Sequence, residues 1–337
     1  DMALDFGESE EGSERELPPP PPDWLPLHDF TGEAAQALEG LVSLIEMSGL
    51  GLEGPFSPES LGVPPHGELA KATKVLRSEL VEGAGLAVVR GIEWPDNVPL
   101  CRTALLLFSA VLGCSIVPQS ADLKEVVADV KVPDASEGIH TAYRGYRNAQ
   151  AQMPHCDSIC PGSCDVVAML CRTPASDGGD SLFVPAEAVH QTISEESPEL
   201  YQRLCAKWPW RHEKEWLDAW GRQEVLDDGL PILSRSSSGK LHCQAQFGKI
   251  LRLNVEAGLS ARAAAGLGPA MAIEDGQALD LMEDVLGREA LQKRWRLAAG
   301  DLLLINNWVW LHGRTAFAEN PGEGAAKRHM LRVWMRW

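Results

Sequence analysis

Met153-Pro154-His155-Cys156-Asp157-Ser158 decides how the chain is read, together with a second stretch much further on, Asn306-Asn307-Trp308-Val309-Trp310-Leu311-His312-Gly313-Arg314. His155 and Asp157 are two residues apart, and residues i and i+2 of a strand point to one face. One imidazole and one carboxylate then project side by side. His312, from a distant strand, would complete a face of two histidines and one carboxylate. That donor set holds Fe(II) on one side and leaves the other positions open for O2 and an organic co-substrate. H-x-D alone recurs by chance. Its weight comes from three features placed in order along the rest of the chain: a Gly178-Gly179 turn, the distal histidine, and a terminal strand, Arg328-His329-Met330-Leu331-Arg332-Val333-Trp334.

Around these stretches the hydrophobic pattern indicates short strands. Asp165 to Cys171 is a continuous apolar run of strand length, as expected for a strand buried on both faces. Leu86 to Gly91, Val126 to Lys131, Ser181 to Val184, Pro231 to Ser234, Leu241 to Gln244, Ile250 to Leu253 and Leu302 to Ile305 read as further strands. Asp29 to Met47, His66 to Glu82, Leu100 to Leu112, Pro185 to His190, Glu195 to Leu204 and Ala278 to Leu286 read as helices. Gly49 to Pro65 and residues 319–327 read as Gly/Pro loops. Many short strands after a helical N-terminal region indicate an α+β fold with a mainly β core. A double-stranded β-helix (jelly roll), with helices on the outside of one sheet, fits this order.

Length and charge set bounds on function. The chain has 337 residues and a net charge of -18, from 30 basic and 48 acidic side chains. An acidic field repels nucleic acids and anionic membrane surfaces, so neither is expected as a partner. No apolar run approaches the roughly 20 residues that cross a bilayer. The eight cysteines form no C-x-x-C pair and read as reduced thiols, which carries the expectation of a cytoplasmic protein. The chain begins at Asp1, so an upstream targeting segment lies outside this reading. Residues 1–28 hold an acidic run (Glu8, Glu10, Glu11, Glu14, Glu16) and then Pro18 to Pro22, a composition expected to be disordered or extended. Residues 29–337 are expected to form a single catalytic domain.

An iron face of this kind needs a co-substrate that supplies two electrons. A dicarboxylate such as 2-oxoglutarate can chelate the metal through its keto-acid end, and its far carboxylate then needs a fixed cation and a hydroxyl. Arginine holds a carboxylate in bidentate geometry. Arg328 and Arg332 are four apart on a strand and share a face. Ser181, just after the glycine turn, offers the hydroxyl. Arg144, Tyr146 and Arg147 precede the metal strand and are candidates for the substrate mouth. Trp308 and Trp310 read as packing residues. Cys156, Cys160 and Cys164 cluster near the proposed iron.

The segments P-H-C-D (154–157), D-V-V-A-M-L (165–170), G-G-D-S-L-F (178–183), G-D-L-L-L-I-N-N-W-V-W-L-H-G-R-T-A-F (300–317) and R-H-M-L-R-V-W (328–334) resemble the taurine dioxygenase (TauD/TfdA) family. This is the clavaminate-synthase-like branch of the Fe(II)/2-oxoglutarate oxygenases. The resemblance runs from about Gly85 to the C-terminus. It implies that His155, Asp157 and His312 are the iron ligands and that Arg328 binds the side-chain carboxylate of 2-oxoglutarate. It also implies that Ser181 stands where the family usually has threonine, and that Arg332 contacts the keto acid or an anionic substrate. Related iron halogenases lack the carboxylate ligand. Asp157 therefore implies oxygenation, desaturation or related oxidation of a small molecule, with 2-oxoglutarate converted to succinate and CO2. A protein hydroxylase of the JmjC kind is an alternative, against which the terminal Arg328 counts. A jelly-roll module that binds metal without catalysis is the other.

Overall fold

The structure is a computed structural model, described for residues 19–48, 67–119, 125–133, 148–157, 164–211, 229–246, 250–319 and 327–337. Two sheets are built, in chain order, from β1 (Leu27–Asp29), β2 (Leu86–Arg90), β3 (Ser115–Val117), β4 (Val127–Val130), β5 (Gln152–His155), β6 (Val166–Thr173), β7 (Ser181–Pro185), β8 (Lys293–Trp295), β9 (Leu302–Asn306), β10 (Trp310–Arg314) and β11 (His329–Arg336). The larger sheet runs β1-β2-β9-β6-β11-β3, with β4 also paired to β11. The smaller one runs β8-β7-β10-β5. Pairing is antiparallel throughout both, except between β1 and β2.

The apolar runs become strands because both of their faces are covered. Along β6, Val166, Ala168 and Leu170 point into one hydrophobic cluster, while Val167 and Cys171 point into another. The neighbouring strands repeat this alternation. Leu302 and Leu304 of β9 and Leu331 and Val333 of β11 face the first cluster, and Leu303, Ile305, Met330 and Trp334 face the second. A period of two thus sends alternate residues to opposite sides of one sheet. Each fully buried Val or Leu contributes roughly 1.5–3 kcal/mol by leaving water.

The first cluster is the contact with three helices, α1 (Glu33–Ser48), α2 (Gly67–Val81) and α3 (Val98–Val111). The α3 helix starts where its sequence directs. The Asn97 side chain accepts from the Leu100 amide at 3.0 Å, and a proline occupies the first turn. The second cluster fills the space between the two sheets, where Phe183 of β7 and Trp310 of β10 meet β6, β9 and β11. The outer face of the smaller sheet, through Val184 and Leu311, packs on a third cluster. That cluster holds α4 (Ala186–Glu196), α5 (Pro198–Cys205), α6 (Ile250–Ala264) and α7 (Ile273–Gly287). Helices therefore cover both outer faces of the sandwich, not one as expected.

Two further expectations change. Ile250 to Leu253 reads as a strand by its apolar residues, but it is the first turn of α6. Leu251, Val255 and Leu259 all reach the third cluster, a spacing of four that only a longer window exposes. Trp24 to His28, at the end of the segment read as a tail, lie against the body: Leu25 is 1% exposed, and β1 extends the larger sheet. The acidic run at 8–16 lies outside the described residues, as does the loop at 49–65.

Candidate metal centre and its surroundings

His155 closes β5 and His312 sits in the middle of β10. The antiparallel register sets them directly opposite one another, where cross-strand side chains are nearest neighbours. Their ring centroids are 4.8 Å apart. Nδ1 of His155 lies 2.8 Å from the Met153 carbonyl oxygen. A carbonyl can only accept, so Nδ1 carries the proton and Nε2 keeps its lone pair. That Nε2 faces Oδ1 of Asp157 at 3.6 Å, and Nε2 of His312 faces Oδ2 at 3.6 Å. The three residues offer one ligand atom each within 4.8 Å of one another, and they are 8%, 5% and 9% exposed.

Two local devices produce this geometry. Between His312 and Arg314 the pairing skips a residue of β5, because Arg314 lies opposite Gln152 while His312 lies opposite His155. Pro154, which has no N–H to donate, falls in that bulge. The backbone of β5 then crosses so close to Gly313 that a Cβ there would collide with the Gln152 carbonyl oxygen. It would also stand 3.0 Å from the Met153 carbonyl carbon and the Pro154 nitrogen. The second device corrects the sequence reading. Asp157 lies beyond the end of β5, so strand alternation does not aim it. The Cys156 amide donates to the Ala245 carbonyl at 2.7 Å. The Asp157 amide donates to Oδ1 of Asn307 at 2.9 Å, and Nδ2 of Asn307 donates to the carbonyls of Asp157 at 2.6 Å and Cys164 at 3.0 Å.

The carboxylate is embedded in donors. Nη1 of Arg332 reaches Oδ2 and Oδ1 of Asp157 at 3.1 and 3.3 Å, and the Trp334 indole donates to Oδ2 at 2.8 Å. Gln119 anchors the arginine, accepting from its Nε at 2.8 Å and donating to its carbonyl at 2.9 Å. Burial alone would raise the Asp157 carboxyl. The Arg332 charge, with the two imidazoles beside the carboxylate, instead holds it well below the usual range. Burial lowers His312, which favours the neutral imidazole that can bind a metal. The Cys156 thiol is pushed up to about 12 by burial and is a protonated packing group. Cys164 is likewise buried and raised.

Arg328, Arg332, Ser181, His155 and His312 line one cavity of about 40 Å³ between the sheets. Arg332 lies on β11 and Arg328 just before its first residue, with a register shift at His329/Met330 between them, so the shared cavity is not a product of strand alternation alone. Arg328 is 4% exposed, and no carboxylate among the described residues forms an ion pair with its guanidinium. Burial lowers its pKa. Gly179, at φ +72, keeps the chain beside it open: a Cβ there would lie 3.2 Å from Nε of Arg328. The Phe317 ring lies between two guanidinium groups, with Arg314 Cζ at 4.8 Å and Arg328 Cζ at 5.0 Å from its centroid.

Sequence reasoning singles out the ligand triad, Ser181, Arg328 and Arg332, and all of them meet in this region. It passes over Gln119, Asn307, Arg314, Phe317 and Trp334. Arg314 donates to the Gln150 carbonyl at 2.6 Å and to the Asn148 carbonyl, tying down the approach to β5. The only available signal was position: Asn307, Arg314 and Trp334 stand inside segments already marked for other residues. The Trp308 indole donates to Asp165 at 2.8 Å and the Trp310 indole to the Ala84 carbonyl at 2.7 Å, and Trp310 is buried in the second cluster. Arg144, Tyr146, Arg147 and Cys160 lie outside the described residues.

A two-sheet sandwich flanked by helices, with two histidines and a carboxylate converging between the sheets, defines the class of non-haem iron oxygenases. Residues 50–334 match the family described as "Taurine catabolism dioxygenase TauD, TfdA family". The chain belongs to that family and is an Fe(II)- and 2-oxoglutarate-dependent oxygenase. FR-33289 synthase from Streptomyces rubellomurinus is 26% identical over 265 residues, covering 76% of this chain and 70% of that one. Among solved structures, the non-haem iron oxygenase OrfP in complex with Fe has a TM-score of 0.60 at 18% identity, covering 92% of this chain and 94% of that chain. Asparagine oxygenase in complex with Fe(II), 2S,3S-3-hydroxyasparagine and succinate has a TM-score of 0.59 at 15% identity, covering 91% and 92%. At these identities the two structures establish the fold.

Proposed function

We propose that His155, Asp157 and His312 hold Fe(II), that Arg328 and Ser181 hold the far carboxylate of 2-oxoglutarate, and that the reaction is oxygenation of a small organic molecule with an anionic group. Bound together, Fe(II) and 2-oxoglutarate supply the oxidation of a substrate C–H bond by O2, with succinate and CO2 as co-products. The residues present fit both groups. Two imidazoles and an ionised carboxylate are a donor set suited to Fe(II). A buried guanidinium that makes no ion pair among the described residues, with Glu319 the carboxylate nearby, leaves a charge that a ligand's carboxylate would satisfy. Arg332, expected to meet the keto acid or an anionic substrate, spends Nη1 on Asp157 and Nε on Gln119, so the anionic substrate group rests on the sequence argument from Arg144 and Arg147. Two solved structures of this fold hold an amino-acid derivative beside succinate, 2S,3S-3-hydroxyasparagine in asparagine oxygenase and (3R,4R)-dihydroxy-L-Arg in OrfP.

One observation carries this reading: a buried Arg328 shares a cavity with the two histidines. An anaerobic titration with Fe(II) and 2-oxoglutarate tests it, with the visible charge-transfer band of the chelated keto acid as readout. The band is expected in wild type, is lost in His155→Ala, and needs far more 2-oxoglutarate in Arg328→Ala. Normal iron binding with no band in wild type would remove the 2-oxoglutarate assignment.

A further inference from the structure

Resting on the reading of Asp157 as a metal ligand, we propose that Trp334 is a positioning residue that makes this carboxylate offer a single oxygen to the metal. A carboxylate can bind a cation through one oxygen or through both. Here the two oxygens are not equivalent. Oδ2 accepts the Trp334 indole at 2.8 Å and lies closer to Nη1 of Arg332, at 3.1 Å against 3.3 Å for Oδ1. Oδ2 thus accepts from two protein donors and Oδ1 from one, the longer, which leaves Oδ1 with the freer lone pair for a cation. An indole N–H can only donate, so it cannot change roles when a metal arrives.

The donor is also rigidly mounted. Trp334 is 6% exposed and lies on the interior face of β11, paired with Val167 on one side and Val117 on the other. The Arg332 guanidinium covers its ring at 4.8 Å. Swinging the indole away would mean repacking the centre of the larger sheet. The consequence concerns the co-substrate. A carboxylate that closes onto the metal with both oxygens takes a position that the keto acid or O2 requires. Trp334 keeps that position open, as groups behind a ligand commonly do by fixing its orientation.

A bland role for the indole also exists, since a buried indole N–H generally finds some acceptor. The two roles separate in Trp334→Phe, which keeps a ring and removes the donor, and in protein carrying benzothienylalanine at 334, which keeps the bicyclic shape. Co(II) and Fe(II) are titrated anaerobically into each, with the Co(II) visible spectrum recorded and the urea midpoint of the metal-free protein measured. The positioning role predicts metal affinity weaker on the order of tenfold, with altered Co(II) band intensity, in both proteins. A metal affinity and Co(II) spectrum equal to wild type, whatever the urea midpoint, overturn the proposal. If Trp334→Phe does not fold, the benzothienylalanine protein decides alone. Failure of wild type itself to bind Co(II), matched by His155→Ala, would instead remove the metal centre on which the proposal rests.

Discussion

Asn307 joins two segments that are 150 residues apart in the chain, and its side-chain amide spends both N–H donors and one oxygen lone pair there. It accepts from the Asp157 amide and donates to the carbonyls of Asp157 and Cys164. Removing the side chain strands buried backbone groups at roughly 1–3 kcal/mol each. Asn307→Ala is therefore expected to lose about 3 kcal/mol in urea unfolding, since the groups share one relaxing turn. Asn307→Asp retains the acceptor but not the donor, and it brings a second carboxylate next to Asp157. It is expected to bind metal more weakly than its stability loss alone explains, with anaerobic titration as the check.

At the scale of elements, the bulge in β5 and the bare Gly313 opposite it act as one unit. The bulge brings the β5 backbone inward, and only a residue without a Cβ can face it. Gly313→Ala is expected to separate β5 from β10 and move His155 relative to His312. Metal affinity should fall on the order of tenfold or more, as when support behind ligands is lost. Gly40→Ala in α1 is the control. A Cβ at Gly40 meets nothing within 4 Å, so the change should stabilise by about 0.4–1 kcal/mol through helix propensity and a stiffer unfolded chain. Equal metal affinity in both variants would dissociate the bulge from the site. The Gly178-Gly179 turn follows the same logic. Gly178, at φ +66, would drive a Cβ into the Ala316 carbonyl oxygen, which explains why that dipeptide marks the approach to Ser181.

The whole molecule carries several histidines that burial holds below their ordinary value of 6.5. Besides His312, they are His28, His190 and His242, each packed where a charged ring loses hydration. His190 spends both ring nitrogens on hydrogen bonds, to the Tyr201 hydroxyl and the His242 carbonyl, each at 2.9 Å. In the unfolded chain these rings take up protons near pH 6.5, and in the folded protein only at lower pH. Stability is thus fully present above the unfolded pKa and is lost as pH falls through the depressed folded values. The urea midpoint of metal-free protein is expected to drop from pH 7.5 to pH 5.5, with a shallower slope in His190→Gln. A flat midpoint over that range would show that these rings reach solvent. Among the described residues, no helix is long and apolar enough to cross a membrane.

The sequence alone determined the parts whose chemistry is local. His155, Asp157 and His312 stand out as the proposed metal ligands because few residue types ligate iron, and Arg328 as the proposed partner of a dicarboxylate because such a group needs a guanidinium. The apolar runs of β6 and β9 show themselves because a strand covered on both faces has no polar side. Ile250–Leu253 misleads for a related reason: four apolar-rich residues suit either period until Val255 and Leu259 are counted. Only the tertiary structure decided what aims the ligands. Asn307, Arg314 and Trp334 act on backbone and carboxylate groups 143 to 177 residues away, and the bulge at Pro154 matters only because Gly313 lies against it. Such contacts depend on which strands become neighbours. That is set by the summed burial of two sheets and the helices on both faces, a quantity no short window of sequence contains.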